Sequence, residues 1–339
     1  MAVINVTPLM DITALIASNN VIEGDVLLLE EGIYFESVNV TKDFIRIVAK
    51  GPGVIFDGKS TLLTAFLLSD VVGVAIEGIN IRHYRGSGLL IESGSGNRIV
   101  NNRINNMIND GIRLVSSSGN LIWKNEICNC FDGVRLTLGS TNNWIIENIV
   151  KECLDDAFET VFSSESNNAF ISNAAIGNRG EGFSMLGSNN LVLNNFLDSG
   201  EGILIMNGNS SLVIGNKITG AKLSAIGIIS DYMNFFAGEN RIICNRREGM
   251  NLVSQYGMLL NNKIAFNGDV GISFFTPSAV GNLVMDNELV CNVPENIDDR
   301  GIDNVFINNI DKPCETCESS IEVCGHCSDE ELIELENID

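Results

Sequence analysis

Acidic side chains recur at one corner of a repeating unit, and they are the chain's main chemical possibility. Asp110, Asp132, Asp156, Glu181, Glu201 and Glu248 each stand just before a corner of the Gly-Ile-x-Leu type, and Ser224 and Val270 break the series. Coils stacked in register would set such carboxylates about 4.8 Å apart. At that distance like charges repel and raise one another's pKa, unless a cation or a basic side chain intervenes. The segment Cys153–Glu159 adds a doubled acid, Asp155 and Asp156, and a third at Glu159. Arg113, Arg135 and Glu159 share one face of the strands that follow. Asp132, Asp155, Asp156, Glu159 and Arg135 are therefore the candidate catalytic set, as acid, base and charge stabiliser. The same oxygens could hold Ca²⁺, and Arg113 or Arg135 could orient a uronate or sugar hydroxyls. The plain alternative is that Asp-Gly and Glu-Gly are ordinary turn pairs, repeated because the coil repeats.

Three further features could touch a ligand. His83 sits in Arg82-His83-Tyr84-Arg85, a basic stretch suited to an anionic sugar or to a solvated turn. Trp123 and Trp144 fall on successive coils, Trp123 beside Ile146 and Trp144 beside Leu121. Exposed rings of this kind stack on sugars or cover a neighbouring loop. Cys314, Cys317, Cys324 and Cys327 form two Cys-x₂-Cys pairs separated by six residues. That pattern suits one tetrahedral Zn²⁺, with disulfides or free thiols as alternatives. Cys128, Cys130, Cys153, Cys244 and Cys291 lie in the coils, where Cys130 and Cys153 share a slot on neighbouring turns.

The element that positions these residues is a repeat of about 23 residues from near Ile76 to near Asp311. Each copy reads Asn-x-Ile-x-x-Asn-x-Ile, a variable stretch, then Gly-Ile-x-Leu. The clearest copy is Asn97–Ile104 with Gly111–Leu114. Short β-type stretches at this period imply a solenoid of stacked strands. The second Asn recurs as Asn102, Asn125, Asn148, Asn173, Asn195, Asn216, Asn245, Asn262, Asn287 and Asn309. At a fixed turn it can tolerate the left-handed conformation, and its amide can bond the Asn above and below. Gly suits the tight corner. Thr7–Ser18 has a helical apolar period and is expected to close the N-terminal end.

The order Gly24-Asp25…Leu28…Gly32-Ile33-Tyr34…Glu36, then Ile45-Arg46-Ile47-Val48-Ala49, then Val54-Ile55-Phe56-Asp57-Gly58, resembles the opening of pectate-lyase-like right-handed β-helix proteins. The Asn/Gly coils resemble the carbohydrate-binding and sugar-hydrolase class of such repeats. The resemblance implies an all-β right-handed parallel β-helix solenoid of ten or more coils. The expected layout is a cap over 1–22, the β-helix over 23–312 and a Cys-rich acidic tail over 313–339. Families on this scaffold include polysaccharide lyases, hydrolases, epimerases and non-catalytic proteins. The Gly-His-Gly of polygalacturonases and the Asp-Pro-His of alginate epimerases are both missing.

Acids outnumber bases 43 to 21 in 339 residues, a formal charge of −22. That disfavours nucleic acid and anionic lipid, and also a polyanionic glycan unless Ca²⁺ or a basic patch intervenes. No apolar run is long enough to span a membrane. The first residues lack a secretory signal, so an intracellular protein, or one assembled onto a surface by another route, is expected. Two functions remain. One is a non-catalytic structural or glycan-binding β-helix, part of a surface or spore-type layer. It would have a polysaccharide or surface-protein partner and form a homo-oligomer through its ends or tail. The other is a polysaccharide lyase or glycoside hydrolase acting on an acidic polysaccharide through the Asp/Glu/Arg groove. An enzyme should carry a long insertion making a cleft, and the one lengthened interval is Ser230 to Asn240.

Overall fold

The structure is a computed structural model that describes residues 1–198, 200–206 and 208–313. The four tail cysteines lie outside the described residues. The chain divides into two compact units, Met1–Gly180 with Leu186–Asn190, and Glu181–Met185 with Leu191–Asp339. Both are built from short parallel strands with almost no helix. No helix among the described residues is long and apolar enough to cross a membrane.

In the first unit three strands make a coil, and each pairs in parallel with its counterpart one coil on. On the first face Arg98–Val100 meets Leu121–Trp123, which meets Trp144–Ile146. On the second, Arg103–Asn105 meets Glu126–Cys128, then Ile149–Lys151. On the third, Ile112–Val115 meets Val134–Thr137, then Phe158–Thr160. Side chains alternate with period 2, so Ile99, Ile122 and Ile145 all point inward and are fully buried. Their neighbours Arg98, Leu121 and Trp144 point out. Register is fixed because a slip of one residue would turn every buried side chain to water.

Asparagine ladders run through the corners. Asn148, fully buried, donates from Nδ2 to Asn173 Oδ1 at 3.0 Å and to the Ile122 carbonyl at 2.9 Å. Its Oδ1 accepts from the backbone N–H of Asn125 at 2.9 Å and from Asn125 Nδ2 at 3.0 Å. A second ladder links Asn97, Asn120, Asn143, Asn168 and Asn190. The amide thus satisfies backbone groups that a corner leaves without strand partners. Asn148→Ala should strand several of them at once, costing on the order of 3 kcal/mol or more. A denaturation midpoint unchanged from wild type would contradict this.

Two expectations about the corner need correction. The ladder Asn is not itself left-handed; the residue before it is, as at Asn101 (φ 54°), Lys124 (φ 56°) and Glu147 (φ 52°). Gly111 and Gly133 have no left-handed φ either. They are needed for space, since a Cβ on Gly133 would fall 2.3 Å from Val150 Cγ1 and 2.4 Å from the Ala157 carbonyl oxygen.

The second unit repeats the plan. Its main ladder runs from Asn195 to Asn216, Asn240, Asn262, Asn287 and Asn309. Asn245, which sequence spacing places in this ladder, instead bonds Asn267, which bonds Asn292. With Asn240 in place of Asn245 the steps of the ladder stay between 21 and 25 residues. The lengthened interval is taken up in part by an eight-residue strand, Ile226–Met233, whose pairing with Met250–Gln255 shifts register between Ile229 and Met233.

At the N-terminus Val3–Val6 pairs with Val26–Leu29. The helix spans Ile12–Ala17 only, shorter than expected, because Asp11 caps it by accepting from the Ala14 N–H. A turn closed by Met10 N–H to the Thr7 carbonyl precedes it. Ile12 and Ile16 are its buried residues.

Candidate active site

The acids of the first unit gather at the corner leading into the third face. Register brings Ile112, Val134 and Phe158 side by side, and with them the preceding Asp110, Asp132 and Asp156. One position outward from the core, Arg113, Arg135 and Glu159 stand in a row. The strands therefore deliver the cluster, and the corner glycines let the coils approach closely enough to form it.

Asp132 is the centre. It is 1% exposed, and its Oδ1 accepts the Asp156 backbone N–H at 3.1 Å. Arg135 Nη1 lies 3.3 Å from Asp132 Oδ2, and Arg135 Nε lies 2.9 Å from Glu159 Oε2. One carboxylate oxygen from each of Asp132, Asp156 and Glu159 falls within 4.8 Å of the others. Burial, then the charges of Glu159 and Asp110, push the Asp132 pKa up to about 7 against the pull of Arg135. Burial also raises Glu159, opposed chiefly by Arg135. A carboxylic acid that keeps its proton near neutral pH can act as a proton donor. Asp155 lies beside the cluster, and its charge also raises Glu159. Gly180 closes over both acids, since a Cβ there would lie 2.4 Å from Asp156 Oδ1 and 2.8 Å from Asp155 Oδ1.

Asp110 belongs to the site although the candidate set drawn from the sequence omits it. It is fully buried, with oxygens 3.9 Å from Arg113 Nη1 and 4.0 Å from Arg135 Nη1. Its place in the column of corner acids is the signal that identifies it.

The other candidates are held elsewhere. Trp123 and Trp144 lie on the first face, on a different sheet from Arg113 and Arg135. Lys124 Nζ sits 4.9 Å from the Trp123 ring, and Trp144 is half exposed. His83 follows the second-face strand Asn80–Arg82. Its Nδ1 lies 3.2 Å from Asp57 Oδ1, and Asp57 Oδ2 accepts from Arg82 Nε at 2.9 Å. The basic stretch is thus tied to its own acid. Cys130 and Cys153 are buried free cysteines, and each thiol donates to a backbone carbonyl, Cys130 to Cys128 at 3.4 Å and Cys153 to Lys151 at 3.9 Å.

The family model described as "Right handed beta helix region" matches residues 30–197 and 157–293. The chain belongs to this family. The parallel coils of each unit are therefore those of a right-handed β-helix. No curated protein matches the sequence significantly. Among solved structures, the β-helix resembles the catalytic domain of a GH87 alpha-1,3-glucanase in complex with nigerose. The TM-score is 0.67 at 15% identity, covering 94% of this chain and 66% of the glucanase chain. This chain thus spans just under two thirds of that chain's length. It also resembles the periplasmic alginate epimerase AlgG, with TM-score 0.60, 13% identity and 84% and 77% of the two chains covered. A third likeness is to the AlgE6 A-module, a mannuronan C-5 epimerase of Azotobacter vinelandii. There the TM-score is 0.59 at 14% identity, covering 90% and 95%. At these identities the likeness establishes the fold.

Proposed function

We propose that this β-helix is a glycoside hydrolase acting on a neutral glycan, with Asp132 as the proton donor. The observation that carries the reading is a carboxyl group held near pKa 7, within 4.8 Å of two other acids. Asp132 would protonate the leaving glycosidic oxygen. Asp156 and Glu159 would activate water and offset the positive charge that develops on the sugar ring. Arg135 would hold Glu159 in place.

A second observation supports this assignment. Three of the glucanase structures carry an aspartate-to-alanine change, at positions separated by 23 residues and then one more. Asp132, Asp155 and Asp156 have the same separations.

The charge of the site favours a neutral substrate over the acidic polysaccharide suggested by the scaffold. Five acids, Asp110, Asp132, Asp155, Asp156 and Glu159, face two bases, Arg113 and Arg135. A uronate would need a cation to approach them. We read Arg135 as already filling that place: its nitrogens lie 3.3 and 2.9 Å from Asp132 and Glu159. Ca²⁺ takes six to eight oxygens, and a guanidinium inside the cluster does not fit such a shell.

The burial of Asp132 (1% exposed) and Asp156 (5% exposed) favours a second reading, a glycan-binding β-helix without turnover. Reducing-end release from a panel of neutral α- and β-glucans and uronans separates the two. Hydrolysis of a neutral glucan should fall by roughly 10²- to 10⁴-fold in Asp132→Asn. Retention of a glucan in affinity electrophoresis without cleavage would instead establish the binding reading. Cleavage of uronans alone would overturn the neutral-substrate assignment.

A further inference from the structure

The least explained group in the first unit is Asp110. A fully buried carboxylate ordinarily draws short hydrogen bonds or a close ion pair. Its basic partners, Arg113 Nη1 and Arg135 Nη1, stand off at 3.9 and 4.0 Å, and neither of its oxygens makes a hydrogen bond of ordinary geometry. Burial raises its pKa, while Arg135, Arg113 and the Ser87 and Asp132 side chains hold it down. It stands one coil before Asp132, also buried. Two carboxyls stacked this closely in a dry corner cannot both ionise cheaply.

We propose that Asp110 is a positioning residue. Stacked beneath Asp132, it shares one proton with it and anchors the Arg113–Arg135 pair, so that Asp132 stays protonated and Arg135 stays turned toward Glu159. Charged groups surround the Asp110–Asp132 pair. Asp110 and Arg113 come from the preceding coil, Arg135 from its own, and Asp155, Asp156 and Glu159 from the next. Only Asp110 is a buried acid beneath it, on the side away from Glu159. Removing its charge takes away repulsion that no other neighbour replaces. The inference rests on the proposed role of Asp132 as proton donor. The test contains no substrate, so the two ideas fail separately.

The test is carbon-13 NMR of the aspartate carboxyls between pH 3 and 9, in wild type and in Asp110→Asn. Asparagine keeps the shape and removes the charge. In wild type the Asp110 and Asp132 signals should titrate together in two shared steps. In Asp110→Asn the Asp132 midpoint should fall by about one unit, a tenfold change in its ionisation ratio. An unmoved Asp132 midpoint would overturn the proposal. Independent single steps in wild type would do so too, and that arm stands even if the variant does not fold.

Discussion

Asp132→Asn should make the protein more stable at pH 8 while removing its activity. The sign follows from the direction of the shift. Asp132 is raised from 3.8 to about 7 in the folded state. Between those values the folded chain holds a proton that the unfolded chain has released. Stability therefore falls as pH rises through this window, and the loss is complete above the folded pKa. Burying that charge costs on the order of a few kcal/mol. Asparagine cannot ionise, and its side-chain oxygen can still accept the Asp156 N–H that Asp132 accepts at 3.1 Å. Urea midpoints should thus be nearly equal at pH 4 and clearly higher for Asp132→Asn at pH 8. The same shift at both pH values would mean that Asp132 is an ordinary corner residue. Gain in stability with loss of activity is the signature of a group placed for chemistry at the expense of the fold.

Gly133→Ala should be among the most damaging single-methyl changes in the first unit. The new Cβ would meet Val150 Cγ1 at 2.3 Å and the Ala157 carbonyl oxygen at 2.4 Å. That carbonyl accepts the Val134 N–H at 3.0 Å, and the Gly133 N–H donates to Asp156 at 3.0 Å. Relief must come from moving one coil away from the next, at the bonds that hold Asp132 beside Asp156. Overpacking of this kind costs on the order of 3 kcal/mol, with strained hydrogen bonds in addition. Gly227→Ala is the comparison in the second unit, where the nearest atom is the flexible Leu204 Cδ1 at 3.2 Å. A cost under about 1 kcal/mol is expected there. Chemical denaturation of both variants checks the contrast, and equal losses would contradict it.

The strands were legible because their information is periodic. Inward Ile99, Ile122 and Ile145 repeat at one spacing, and the pairing of Trp123 with Ile146 and of Leu121 with Trp144 follows from counting. The corners are less legible, because several residue types solve the same turn. Asn240 and Asn245 flank one short strand, Arg241–Ile243, and either satisfies the motif. Only the hydrogen bond from the Asn216 N–H to Asn240 Oδ1 decides between them. The glycines were visible, but their reason was not. Close approach depends on Val150 and Ala157 in the following coil, and local spacing carries no record of it. At the site the acids could be named from sequence. Their ionisation could not, since it depends on burial and on Arg135 reaching both Asp132 and Glu159. Trp123 and Trp144 show the reverse case. Their ring type suits a sugar and they point outward as Arg113 and Arg135 do, but their strands belong to another sheet.

The most direct test of the account is the pH dependence of the rate of neutral-glucan hydrolysis, from pH 5 to 9, in wild type and Asp132→Asn. A site that works through a protonated Asp132 should lose rate as a single proton leaves near pH 7, and the variant should lack that limb at a rate at least about 100-fold lower. A wild-type rate that stays level across pH 7, or a variant that matches wild type throughout, would contradict the account.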